Sequence, residues 1–129
     1  MASSSAAYHE SLDDLKPETL DRHRAIVSIM EELEAVDWYD QRVDAAHDAE
    51  LAAILKHNRD EEKEHASMLL EWLRRRDAKL DEHLRSYLFI DEPVLQKERA
   101  LEQAEAKEPA TAANSGSLGI GSLRAERPR

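Results

Sequence analysis

The sequence has no cysteine. Disulfides and thiolate metal sites are therefore excluded. Any bound metal must use oxygen and imidazole ligands, a donor set that suits iron, manganese or zinc. Glycine is nearly absent. All three glycines, Gly116, Gly119 and Gly121, lie in the last fourteen residues. The rest of the chain holds no glycine and only three prolines, Pro17, Pro93 and Pro109. So few turn signals argue for an all-α fold. Long apolar runs are missing too. The uncharged stretch Ala25 to Met30 is far too short to span a bilayer, so no membrane partner is expected. The first residues, Met1 to Tyr8, lack the basic and apolar regions of a signal peptide, and a cytoplasmic protein is expected.

The chain is instead rich in charge. Charged residues make up 36% of the 129 residues, so only narrow apolar faces are available. A thin core in the single chain is expected, and with it association. The net charge is −10 and the helical part holds no basic patch, which argues against nucleic acid and for cations.

Residues 1–12 are small and polar and read as disordered. A first helix starts within a turn of Pro17 and runs to about Asp44. Ile26, Ile29, Met30, Leu33 and Val36 form its apolar face. After a short connection, Asp48 is placed to cap a second helix from Ala49 to about Arg76. Such a short connection between long helices implies an antiparallel hairpin. Asp77 can cap a third, shorter helix carrying Leu80, Leu84, Tyr87 and Leu88. The expected domain spans residues 13–92. Residues 93–115 read as a linker, partly helical or disordered, and residues 116–129 as a separate tail.

The second helix contains Glu62-x-x-His65, two donors on one helix face. At about 100° per residue they fall within the apolar stripe Leu51, Ile54, Leu55, Leu69, Trp72 and Leu73. A carboxylate there is costly unless something pairs with it. On the first helix, Glu32 lies at the edge of the apolar arc and can face the same pair. Metal binding and a buried Glu–His ion pair fit this pattern equally. One carboxylate with one Glu-x-x-His is half of a di-iron bundle site, and a two-fold related copy would complete it. Glu31 and Glu34 point elsewhere, beside Trp38, and read first as a solvated face. His57, Glu61 and Glu64 share another face, where a weak cation site competes with plain solvation. Tyr39, one heptad beyond Glu32, is either a hydrogen-bond donor to the centre or an ordinary half-buried tyrosine.

Three segments carry a resemblance: Met30–Asp40 (MEELEAVDWYD), His57–His65 (HNRDEEKEH) and Leu70–Arg74 (LEWLR). They closely resemble the encapsulated ferritins, ferritin-like proteins housed in encapsulin nanocompartments. The tail Ser117–Arg124 (SLGIGSLR) looks like the peptide by which such proteins dock to the encapsulin shell. The resemblance implies a two-helix hairpin plus a short C-terminal helix. It implies a homodimer that rebuilds a ferritin-like four-helix bundle, and a homodecamer of five dimers. It implies two iron ions per dimer interface, held by Glu32, Glu62 and His65, with Glu62 bridging and Tyr39 nearby. It implies a metal-uptake site at Glu31, Glu34 and Trp38, for calcium or another divalent cation, and an outer site at His57, Glu61 and Glu64.

The expected activity is a ferroxidase, with Fe(II) and O2 as substrates, working in the cytoplasm inside an encapsulin nanocompartment. The shell protein would be its partner, and the product would go to mineral storage. Two rivals stand beside it. One is another di-metal carboxylate enzyme, an oxygenase or a manganese catalase. The other is a helical adaptor whose buried Glu and His fix pairing register.

Overall fold

The computed structural model describes residues 7–107. The linker residues 108–115, the tail peptide Ser117–Arg124 and residues 1–6 lie outside them. The described chain is all-helical. A 3-10 turn, Leu12–Asp14, precedes four helices: α1, Pro17–Ala45; α2, Ala49–Arg74; α3, Ala78–Tyr87; and α4, Val94–Lys107. Among the described residues no helix is long and apolar enough to cross a membrane. The chain divides into two compact units, Met1–Glu82 and His83–Arg129.

The first unit is built on the α1–α2 hairpin. Pro17 opens α1, where its missing N–H costs nothing and its fixed φ suits the first turn. Asp48 caps α2: its carboxylate accepts the Leu51 N–H at 2.8 Å. Asp77 does the same for α3, accepting from Leu80 N–H at 3.0 Å. Before α1 the Tyr8 ring stacks on His23, with centroids 4.2 Å apart.

The core of this unit is small. Among the described residues only Ala25, Ala66 and Leu73 are buried, and no side chain is fully enclosed. Two helices can bury one line of contact between them, and both apolar arcs are wider than that line. Leu51 and Ile54, expected to face a core, are 48% and 50% exposed, and Met68 is 58% exposed. On α1, Ile26, Met30 and Leu33 are exposed in the same way. A soluble single chain seldom leaves this much apolar area uncovered without using it.

Polar ties supplement the thin core. Arg59 of α2 reaches Asp40 of α1 at 2.9 Å, and its side chain is only 18% exposed. At the α2–α3 turn, Arg74 holds Glu71 through two bonds, of 2.6 and 2.8 Å, and also bonds Asp81 of α3. Arg75 adds a bond to Glu71 at 2.7 Å. The Arg74 and Arg75 guanidiniums pull the Glu71 carboxyl from the ordinary 4.5 down to about 2. Its folded pKa lies below its unfolded one. Its contribution to stability is therefore complete above about pH 4.5 and is lost as the pH falls toward 2. Glu71→Gln should flatten the fall in melting temperature over that window and leave the neutral-pH profile shape unchanged. Thermal unfolding followed from pH 7 to pH 2 measures it.

In the second unit, Phe89 follows α3 with φ at 60°, the left-handed region that usually takes glycine at a helix end. Its ring is fully exposed. Pro93 leads into α4, whose residues are mostly strong helix formers and almost wholly exposed.

Candidate metal centre

α1 supplies Glu32 and α2 supplies Glu62 and His65. The i, i+3 spacing brings the last two together. His65 Nδ1 lies 3.3 Å from Glu62 Oε2. Hairpin packing brings the third: the same nitrogen is 3.6 Å from Glu32 Oε2. One ligand atom from each residue lies within 4.8 Å of the others. Among the described residues this is the single group of three such donors.

The cluster sits at the rim of the helix–helix contact, not deep inside it. The Glu32 and Glu62 side chains are about a quarter exposed, and His65 is 45% exposed. The expectation of a core-facing set is thus met only halfway. The hairpin covers one side of the donors and leaves the other open.

The electrostatics follow from two carboxylates and an imidazole in one place. Glu32 shares a hydrogen bond with Glu62, which raises its carboxyl above the ordinary value; partial burial and the Glu62 charge push the same way. The same bond lowers Glu62, against its own desolvation, and His65 helps to hold it ionised. The two carboxylates are thus pushed apart, Glu32 upward and Glu62 downward, by the bond they share. Desolvation lowers the His65 imidazole, but its bond to Glu62 and the charges of Glu32 and Glu62 outweigh that and raise it overall. Two carboxylates this close make a place that suits a cation. Two hard oxygen donors and one imidazole fit iron, manganese or zinc. Three donors fill only part of a coordination sphere, so the open face needs further ligands.

The other expected residues fall outside this cluster. Glu31 and Glu34 are exposed, and Trp38 is 49% exposed beside them. Tyr39 is half-buried. His57 Nε2 pairs with Glu61 Oε1 at 2.9 Å on an exposed face, and Glu64 does not join them in a three-donor group. Two features were missed in the sequence. Arg59–Asp40 joins residues nineteen apart in sequence, and no local spacing signals it. Arg42 lies over both the Trp38 and Tyr39 rings, 5.9 and 5.6 Å from their centroids. Its position four residues after Trp38 was a usable signal.

Comparison with known proteins gives this geometry a family. The family model EncFtn-like matches residues 7–91. An encapsulated ferritin-like protein of Rhodospirillum rubrum is 64% identical, over 98% of this chain and 94% of its own length. A ferritin-like protein of Thermotoga maritima is 53% identical, over 70% of this chain and 80% of its own. The encapsulin nanocompartment cargo protein EncC of Myxococcus xanthus is 32% identical, over 76% of this chain and 80% of its own. Among solved structures, protein ne0167 from Nitrosomonas europaea superposes with a TM-score of 0.67 at 60% identity, covering 68% of this chain and 97% of that one. A hairpin bearing two carboxylates and a histidine on its open rim, matched in sequence over nearly its whole length, belongs to the EncFtn-like family of encapsulated ferritin-like proteins.

Proposed function

We propose that this chain is a ferroxidase that oxidises Fe(II) with O2 at a centre shared by two copies, as cargo of an encapsulin nanocompartment in the cytoplasm. The observation that carries the reading is the half-open Glu32–Glu62–His65 cluster, whose ligand atoms lie within 4.8 Å of one another. Iron is the substrate. Each Fe(II) gives one electron to O2, and carboxylate ligands favour the more highly charged ferric product. Glu32 and Glu62 supply oxygen donors and His65 supplies nitrogen. A cation between Glu32 and Glu62 replaces their mutual repulsion with ligation, and protons compete with it for the same oxygens.

A second copy, related by a two-fold axis, is the natural source of the missing donors. Leu51, Ile54 and Met68 support this. They stand within about 60° of His65 around α2 and are 48–58% exposed. Covering each adds on the order of 1 kcal/mol. Glu62 would then meet its symmetry mate, and the bridging position would fall between them. Five such dimers would make the ring. Residues 13–92 would form the catalytic body, with residues 1–12 ahead of it, residues 93–115 the connection and residues 116–129 the docking peptide. Glu31, Glu34 and Trp38 would gather incoming cations, calcium or another divalent ion among them. Tyr39 would face the centre, and His57, Glu61 and Glu64 would hold a weak outer cation. The relative named as an encapsulin cargo protein supports the same destination for this chain.

The test is to add Fe(II) aerobically to metal-free protein and follow ferric absorbance and molecular mass together. Oxidation faster than in buffer is expected; a rate no faster than buffer removes the reading. Assembly should respond as well. Without metal, two Glu62 carboxylates face each other and repel. Metal-free protein should therefore elute smaller than protein given Fe(II) or Mn(II), and a chelator should reverse the change. Light scattering behind size exclusion measures this. Equal masses in all three conditions would rule out metal-driven pairing.

A further inference from the structure

Arg42 is the one described side chain whose guanidinium lies over both Trp38 and Tyr39. Those rings belong to different faces of α1, about 100° apart. Glu34, Trp38 and Arg42 follow at i, i+4 and i+8, so they form one row along the helix: acid, indole, cation. Among the described residues Arg42 makes no ion pair, a trait it shares with Arg22, Arg76 and Arg99, whereas Arg24, Arg59, Arg74 and Arg75 are all tied to carboxylates; of the unpaired four, it is the one on the row of Glu34 and Trp38. A shallow depression of about 260 Å³ is lined by Trp38, Gln41 and Arg42. The guanidinium therefore lies at the outer edge of cation–π range from both rings, with no carboxylate paired to it, in a chain of net charge −10.

We propose that Arg42 is a positive stop at the end of the acidic row. It confines cation capture to the turn holding Glu31 and Glu34 and keeps cations from collecting over Trp38 and beyond. The inference deepens the ferroxidase reading and rests on it for the identity of the cation. Arg42 touches no iron in this scheme; it is a positioning residue that acts through its field. At roughly 10 Å in water, a unit charge changes the affinity for a divalent cation by about two- to fourfold at low salt, and screening removes most of that at 0.5 M salt.

The experiment uses the full chain with Trp72→Phe, so that Trp38 is its single indole. Terbium(III), a redox-silent probe of carboxylate sites, is titrated while its luminescence is excited through the indole. Arg42→Met keeps the apolar stem and removes the charge; Arg42→Lys keeps the charge and loses the planar guanidinium. Arg42→Gln replaces the methionine variant if that one changes mass or melting. The neutral variant should bind trivalent terbium about three- to eightfold more tightly at 20 mM salt, with the difference closing at 0.5 M, while lysine behaves as arginine. In parallel, the neutral variant should lower the KM for divalent Fe(II) by about two- to fourfold at unchanged kcat. Equal terbium affinities at low salt, or a lysine variant that follows the neutral one, would overturn the proposal. If wild-type protein oxidises no iron, the ferroxidase reading fails alone, because the terbium comparison still measures the field of Arg42.

Discussion

Glu62→Ala is expected to slow Fe(II) oxidation by roughly 100-fold or more. Residues that merely support metal ligands already cost about 10- to 100-fold when removed. Glu62 is placed to be a ligand itself, and in a symmetric pair its loss occurs twice. It also orders its neighbours, bonding His65 at 3.3 Å and sharing a hydrogen bond with Glu32. Glu32→Ala and His65→Ala should act in the same direction. The fold should survive, because all three side chains sit on the open rim of the hairpin and none belongs to the small core of Ala25, Ala66 and Leu73. The measurement is the initial rate of ferric absorbance after anaerobic loading and O2 addition, with helicity recorded by circular dichroism. Three folded variants that all oxidise iron at the wild-type rate would place the centre elsewhere. Loss of helicity in one variant shifts the decision to the other two.

Deleting residues 116–129 is expected to abolish loading into the encapsulin shell while fold and iron oxidation persist. Leu118, Ile120 and Leu123 are the apolar residues of a segment too short to form its own core. Each contributes about 1.5–3 kcal/mol when buried in a partner groove, less the cost of ordering the segment. Gly119 and Gly121 allow close approach of the backbone to a surface. A ring of chains would engage several grooves at once, so the loss per tail is multiplied. Co-expression with the shell protein, then measurement of cargo in purified compartments, tests it. Truncated chain at wild-type occupancy would disprove the role of the tail.

Local signals carried much of the architecture. Pro17 and Asp48 start helices in the structure where their side-chain chemistry says they should, and Asp77 caps α3. α4 was harder to read: its few apolar residues, Val94, Leu95 and Leu101, make a weak face, and propensity instead of burial sustains it. The 3-10 turn at Leu12–Asp14 is too short to show a period. Phe89 could not be anticipated at positive φ, since its residue type argues against that conformation.

The sequence by itself determined what depends on neighbours along the chain: helical character, the caps, the hairpin, the absence of sulfur ligands and the i, i+3 pairing of Glu62 with His65. These are set by backbone geometry and residue chemistry within a few positions. Tertiary structure decided what depends on packing. It brought Glu32 to the same place as Glu62 and His65 across two helices, tied Asp40 to Arg59 and set Arg42 over two rings. It also left Leu51 and Ile54 half exposed, although their spacing reads as core. Periodicity reports which side of a helix is apolar. How much of that side one neighbouring helix can cover is a matter of area, and here a single hairpin covers too little.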